Sequence, residues 1–352
     1  MSDGLNLHKN LINGRITDVV RRNRNINLPM MIFGPPGIGK SEQVHQSRDG
    51  DDDMMIDLRL NILDSIDLRG LPIIQKNEKG TATHVEWVRP EFIPWQGRGI
   101  IFLDEINTAP PSTQNAALQL VLDRKVGPHH LGKDWYIVAA GNRAEDKCHV
   151  HPLSGALLDR FAVYDYTPDY DTWVDWAIKS NVHEDVIGFI SWRKDLLLQD
   201  RSDEYSVSTN PRSWGYVSKH LFAGSKNLAD IRACVGSPAT ELLSYLDICK
   251  NLPNMEDLIA GKSKWKEDNK RISVSYAVAN NLASTLLSSK TPAKILDNCM
   301  KVVIDISPEP GALFIRRVLT NDKIRDLCYK SDMVSKWLEK NQELISSSMM
   351  LA

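Results

Sequence analysis

"MMIFGPPGIGKSEQ", residues 30–43, sets three glycines, two prolines and a lysine directly after an apolar run. Such a stretch is either an ordinary strand-to-helix turn or a backbone shaped to wrap an anion. The spacing G-x-x-x-x-G-K-[ST] is met by Gly34, Gly39, Lys40 and Ser41. Successive backbone N–H groups point into one concavity only where side chains leave it clear, which suits Gly34, Gly37 and Gly39. A helix starting at Lys40 adds its positive end to the same place. Lys40 then supplies a point charge for terminal phosphates, and the Ser41 hydroxyl a ligand for Mg²⁺. The motif requires a strand before it and a helix after it; residues 28–33 and 40–47 read that way.

Further strands are expected at residues 54–60, 99–103 and 135–140. A helix is expected at 112–125, where Leu118, Val121 and Leu122 share a face. Strands alternating with helices imply a parallel sheet covered on both sides. Residues 62–95 break the alternation. Apolar clusters around a polar "KNEKG" turn read as a short helix plus a β-hairpin, either a structural elaboration or a projecting loop that touches a substrate. After Tyr166 the strand pattern stops. "DTWVDWAIKS", "SYAVANNLASTLLSS" and "SDMVSKWLEKNQELIS" are helical, with Val278, Leu282 and Leu286 spaced four apart. The expected fold class is therefore α/β: a nucleotide-binding sheet domain over 1–168 and an all-helical region over 169–352.

Composition narrows the function classes. The 352 residues suit about two domains. A formal net charge of −2 gives no global attraction to nucleic acid or to anionic membrane. The five cysteines are scattered and lack a C-x-x-C pair, which points to reduced thiols and a cytoplasmic protein. No basic-then-apolar leader opens the sequence, and no apolar run approaches the roughly 18 residues of a membrane span.

A second element joins the glycine loop. "GIIFLDEIN" ends an apolar run in Asp104 and Glu105. Adjacent carboxylates at the end of a buried strand are expensive unless a cation meets them. A nucleotide-bound Mg²⁺ accounts for Asp104, and Glu105 is then placed to deprotonate a water attacking the γ-phosphate. "WYIVAA" leads to Gly141 and Asn142, whose amide either binds the γ-phosphate and the water or merely turns the chain. Arg160, in "PLSGALLDRFAVYDY", either pairs with Asp159 or Asp165 or reaches a neighbouring subunit's nucleotide. In "STNPRSW", Asn210 caps a helix with Pro211 at its first position, and Arg212 is fixed in the first turn.

"GPPGIGKS", "IIFLDEINTAPPSTQNAALQLVLDRKV", "VAAGNRAEDKCHVHPLSGALLDRF" and "NPRSW" resemble, in order and spacing, the MoxR-like branch of the AAA+ ATPases. The resemblance is close over roughly residues 25 to 220 and loose beyond. It implies an ATP hydrolase with ATP and Mg²⁺ as ligands. Gly34, Pro35, Pro36, Gly37, Ile38, Gly39, Lys40 and Ser41 are then the Walker A loop. Asp104 and Glu105 are the Walker B pair, with Ser41 and Asp104 at the metal. Asn142 matches sensor 1, Arg160 the arginine finger and Arg212 sensor 2. Residues 62–95 resemble the helix-2 insertion of this branch. Arg143 is a second candidate for a phosphate or intersubunit contact. The family further implies a ring, usually a homo-hexamer, that remodels or matures a protein client, often with a von Willebrand factor A domain partner. No membrane partner is expected.

Other features read as bland. Cys148, His149 and His151 lack a second ligand cluster for zinc. "DGDDD", residues 49–53, lacks calcium-loop spacing and reads as a solvated turn. Trp173 and Trp176 read as helix core rather than a stacking platform, and the charged "KSKWKEDNKR" as a solvated loop. No N-K-x-D element is present, which favours ATP over GTP. Two other functions stay open: a nucleic-acid motor or loader, which needs a local basic stripe, and a nucleotide-gated scaffold, which has no use for Glu105.

Overall fold

The apolar run before the glycine loop is a buried strand, with Met30, Met31 and Ile32 fully shielded. It belongs to a computed structural model that describes residues 12, 14–146, 150–201, 206–263, 265 and 271–344. The chain divides into two units, Met1–Thr167 and Pro168–Ala352. The first runs α1 (Ile16–Asn25), β1 (Met30–Phe33), α2 (Lys40–Gln46), β2 (Asp53–Arg59), α3 (Ser65–Arg69), β3 (Leu71–Lys76), β4 (Ala82–Val88) and β5 (Arg98–Asp104). It continues through α4 (Pro111–Asp123), β6 (Lys125–Val126), β7 (His129–His130), β8 (Trp135–Gly141), α5 (Gly155–Leu158) and β9 (Ala162–Asp165).

Five strands form one sheet in the order β2-β5-β8-β1-β9, every pair parallel. Every residue of β8 and the five central residues of β5 are buried. Strands covered on both faces read as continuous apolar runs, which is why these two were plain in the sequence. The flanking helices complete the expected α/β class. α1 was not expected; its polar "RRNRN" tail masks the i, i+3, i+4 set Ile16, Val19 and Val20, all buried. β6, β7 and β9 are too short to show a period.

Two expectations need correction. The buried face of α4 is carried by Ala116, Ala117, Leu120 and Val121, while Leu122 is 47% exposed. Leu118 packs against the same core, as expected, and only Leu122 turns away from it. Residues 49–53 are not wholly solvated either. Asp53 is fully buried, and its carboxylate accepts from both Nη atoms of Arg24 on α1 and from the Asp49 N–H at 2.9 Å. Burial alone would raise the Asp53 pKa; the Arg24 hydrogen bond and the Asp49 N–H bring it below the usual value.

Residues 62–95 do contain a short helix and a hairpin. β3 and β4 pair antiparallel from Leu71↔Val88 to Lys76↔Ala82. Asn77 Oδ1 closes their turn by accepting from Lys79 N–H and Thr81 N–H at 3.0 and 2.9 Å. Apart from Gln75, every residue of the two strands is exposed.

The second unit comprises α6 (Tyr170–Lys179), α7 (Glu184–Trp192), α8 (Pro211–Phe222), α9 (Leu228–Val235), α10 (Pro238–Lys250) and α11 (Met255–Ile259). α12 (Ile272–Ser288), α13 (Pro292–Ile304), α14 (Pro308–Leu319), α15 (Asp322–Lys330) and α16 (Asp332–Lys340) follow. Among the described residues, its only extended pairing is an isolated bridge between Gln199 and Thr209. Val278, Leu282 and Leu286 are fully buried, and Trp173 is buried with Trp176 packed against the same core. Among the described residues, no helix is long and apolar enough to cross a membrane.

The Arg24–Asp53 pair gives the first prediction. Replacing Arg24 by Ala leaves the buried carboxylate only the Asp49 N–H and the half-exposed Arg98, 3.9 Å away, and should lower stability at neutral pH by about 2–3 kcal/mol. A carboxylate with a depressed pKa stabilises the fold above its unfolded value and loses that contribution as pH falls. The variant's deficit in thermal melting should therefore narrow below about pH 4. A deficit independent of pH would show that Arg24 acts by packing alone.

Candidate nucleotide site

In an open parallel sheet, ligands bind beyond the carboxyl ends of the strands. Here β5, β8 and β1 are neighbours, and the registers Leu103↔Ala139 and Phe33↔Gly141 bring their carboxyl ends to one edge. The glycine loop leaves β1, Asp104 and Glu105 leave β5, and Asn142 leaves β8.

The loop's glycines answer two separate demands. Gly37 and Gly39 take left-handed φ values of 80° and 87°, which other residues adopt only under strain. Gly34 is required by close packing: a Cβ there would lie 2.4 Å from the Tyr166 carbonyl oxygen. That corrects the reading of all three as clearing one concavity. Ile38 is buried beneath the loop and Pro36 exposed at its tip. Gln43, three residues after Lys40, braces the base. Its Oε1 accepts from the Ile16 N–H and its Nε2 donates to the Tyr166 hydroxyl, each at 2.9 Å.

Lys40 is only 8% exposed. Its Nζ donates to the Gly34 carbonyl at 2.6 Å, the Pro35 carbonyl at 3.0 Å and Asn142 Oδ1 at 3.2 Å. Ser41 Oγ donates to Asp104 Oδ2 at 3.0 Å, and Asp104 Oδ1 accepts from the Glu105 N–H at 2.9 Å. Glu105 itself has φ 54°, a left-handed turn held by Thr108, whose N–H and Oγ1 both donate to the Glu105 carbonyl at 2.9 Å. The sheet edge thus brings Lys40, Ser41, Asp104, Glu105 and Asn142 together.

Several contributors carry no motif. Asn61, just after β2, donates from Nδ2 to Glu105 Oε2. Asp57 on β2 adds a third carboxylate: burial first, then the charge of Asp104, pushes its pKa up, with Arg59 opposing and Glu105 adding to the rise. Asn107 holds the backbone of Asn142 at both ends. It lies inside "DEIN", so its signal was present, but the reading attended only to the carboxylates.

The arginines separate. Arg143 is turned inward, paired with Asp165 and donating to the Tyr166 carbonyl at 3.1 Å and Thr167 Oγ1 at 2.9 Å. It is a tie between β8 and β9, which corrects its reading as a phosphate or intersubunit contact. Because Asp165 is taken by Arg143, the suggested pairing of Arg160 with Asp165 fails. Arg160 follows α5, is exposed, and makes no ion pair among the described residues. Arg212 stands in the second unit, exposed at the second position of α8, behind the cap formed by Asn210 Oδ1 and the Ser213 N–H at 3.0 Å.

The donor set suits Mg²⁺. A hydroxyl and a carboxylate meet at Ser41 and Asp104, both hard oxygens. Among the described residues no group of three or more His, Cys, Asp or Glu could hold a metal, so an ion here would complete its shell from phosphate and water. Cys148 and His149 lie outside the described residues; His151 is exposed and its N–H donates to the Asn107 carbonyl at 2.6 Å.

No protein-family model and no curated protein matches the sequence. Solved structures that resemble the chain include a putative ATPase from Cytophaga hutchinsonii, 15% identical, TM-score 0.35, over 91% of this chain and 78% of that one. NtrX from Brucella abortus in complex with ADP is 16% identical, TM-score 0.34, over 90% and 69%. The RuvB Holliday junction branch migration motor of Thermotoga maritima is 14% identical, TM-score 0.31, over 81% and 86%. These likenesses are remote, and the site's own geometry is what bears on its chemistry.

The two glycine demands are separable. Gly39→Ala has open space but a left-handed backbone, and should cost about 1–2 kcal/mol. Gly34→Ala must displace the Tyr166 backbone, and should cost about 1–3 kcal/mol and also distort the loop. Thermal melting with nucleotide titration distinguishes them: Gly34→Ala should lose binding more severely than its stability loss explains.

Proposed function

We propose that this protein is an ATPase of the AAA+ class, of MoxR-like type, which forms a ring and uses hydrolysis to remodel or mature a protein partner in the cytoplasm. The convergence of Lys40, Ser41, Asp104, Glu105 and Asn142 at the carboxyl edge of one parallel sheet is the observation that supports it.

Phosphate binding starts from the loop. The Lys40 ammonium, now satisfied by the Gly34 and Pro35 carbonyls, exchanges those dipoles for charged phosphate oxygens. Ser41 and Asp104 would hold Mg²⁺, which when bound neutralises charge on the β- and γ-phosphates. Glu105 orients the attacking water and takes its proton. The hydrogen bond from Asn61 keeps the Glu105 carboxylate oriented until the water arrives. Asn142, in reach of Lys40, contacts the γ-phosphate and the water.

Exposed Arg160 reads the γ-phosphate of a neighbouring protomer, a contact worth roughly 10³- to 10⁵-fold in turnover. Arg212 senses the nucleotide from the helical region. Only contacts that differ between the ATP and ADP states can drive movement, and those of Asn142, Arg160 and Arg212 are the ones that differ. A homo-hexamer and a von Willebrand factor A domain partner complete the proposal.

Glu105→Gln should abolish phosphate release while leaving ATP affinity, read by calorimetry, nearly intact. Arg160→Ala should also bind ATP but lose the turnover gained on assembly, and mixing the two variants should restore some activity at shared sites. Full turnover in Glu105→Gln would refute the base; full turnover in Arg160→Ala would leave that arginine without a catalytic role.

A further inference from the structure

The Asn107 amide at the sheet edge has no place in the scheme above, yet it is 4% exposed and fully engaged with one residue. Its Oδ1 accepts from the Asn142 N–H at 3.1 Å and its Nδ2 donates to the Asn142 carbonyl at 2.6 Å. This pairing continues the strand ladder one residue beyond Gly141. Asn107 is itself fixed from both sides. The Ile106 N–H donates to the Ala140 carbonyl at 3.0 Å, and the Asn107 carbonyl accepts from the His151 N–H at 2.6 Å. No room is left over: a Cβ on Gly141 would lie 2.6 Å from Asn107 Oδ1 and 2.9 Å from Met31 Cε.

We propose that Asn107 is a positioning residue for hydrolysis, locking the Asn142 backbone to the turn that carries Asp104 and Glu105. This inference rests on the ATPase reading of the same site. The base leaves the end of β5 and the amide leaves the end of β8, two separate strands. Their spacing across an attacking water is set by whatever ties those ends together, and Asn107 supplies two of the ties. It acts through Asn142, on whose backbone both of its amide atoms are spent. Lys40 keeps the Gly34 and Pro35 carbonyls and Ser41 keeps Asp104 when the lock is lost, so most of the nucleotide affinity stays in place while the chemical step slows. A misplacement of about 1 Å at a reacting centre costs on the order of 100-fold.

The test uses the full chain and four proteins: unmodified, Asn107→Ala, Asn107→Asp and Gly141→Ala, the last crowding Asn107 without altering it. ATP affinity is read by calorimetry, and kcat and KM by phosphate release from pH 5.5 to 8.5. Asn107→Ala and Gly141→Ala should lose about 10- to 100-fold in kcat with affinity held within about threefold. In Asn107→Asp an ionised carboxylate faces the Asn142 carbonyl and cannot donate to it, and the opposed oxygens raise its pKa. Its kcat relative to the unmodified chain should climb as pH falls, because the protonated carboxyl regains a donor. Unchanged kcat in a folded Asn107→Ala chain overturns the proposal, as does an affinity loss equal to the fall in kcat/KM. Should Asn107→Ala fail to fold, Gly141→Ala and the pH profile of Asn107→Asp decide on the same criteria. An unmodified chain that neither binds nor hydrolyses ATP defeats the ATPase reading itself, whereas failure of this proposal shows only in variants of an active parent.

Discussion

A positive charge held below solvent at the mouth of a parallel sheet is the constraint on which the site depends. Removing an ammonium from water costs several kcal/mol unless its protons are met. Lys40 meets that cost with the carbonyls of Gly34 and Pro35 and the amide of Asn142, which obliges the loop to curl back over its own lysine. The left-handed backbones of Gly37 and Gly39 are what that curl requires. An oxygen bearing full negative charge would be a stronger acceptor for that ammonium than these neutral dipoles.

The same sheet edge carries a concentration of negative charge. Asp57, Asp104 and Glu105 share one end of β2 and β5, and the raised pKa of Asp57, owed to burial and then to Asp104, registers their repulsion. Neutral donors soften it: Ser41 on Asp104, Asn61 on Glu105. A divalent cation held by Ser41 and Asp104 would relieve the same repulsion more fully, because hydroxyl and amide dipoles carry no net charge. Lys40 and the carboxylates thus set opposite charges along one sheet edge.

How much of this the sequence disclosed follows from the physics of each signal. β5 and β8, buried on both faces, are unbroken apolar runs, and the residues at their ends were legible with them. The hairpin of β3 and β4 was legible from its polar turn, although its exposed strands contribute nothing to a core. α1 was hidden because only three apolar residues bury its face. Asp53 was misread because a run of aspartates looks solvated until Arg24, far off in sequence, is brought to it. Arg143 was misread for the same reason: an arginine beside a strand end says nothing of Asp165 on the next strand but one. Asn61 acts through a hydrogen bond between segments, which spacing does not encode, and Asn107, though inside "DEIN", has its partner Asn142 35 residues on. The site's charged members were thus visible in one dimension, and its neutral organisers were not.

The two exposed arginines are instructive because structural stability does not explain where they stand. Arg212 occupies the second position of α8, where the helix dipole disfavours a cation by about 0.3–1 kcal/mol. Among the described residues neither it nor Arg160 pairs with a carboxylate. Yet the backbone that carries Arg212 is rigidly built. Asn210 and Ser213 form a reciprocal cap across it, and Trp214, two residues on, is fully buried with its Nε1 donating to the Leu196 carbonyl at 2.9 Å. Phe189 packs on that indole, and Tyr245 packs on Phe189. The first turn that carries Arg212 is therefore capped and seated on the aromatic core of the helical unit. An exposed charge set against its helix dipole on a capped first turn is poorly explained by the fold of its own unit.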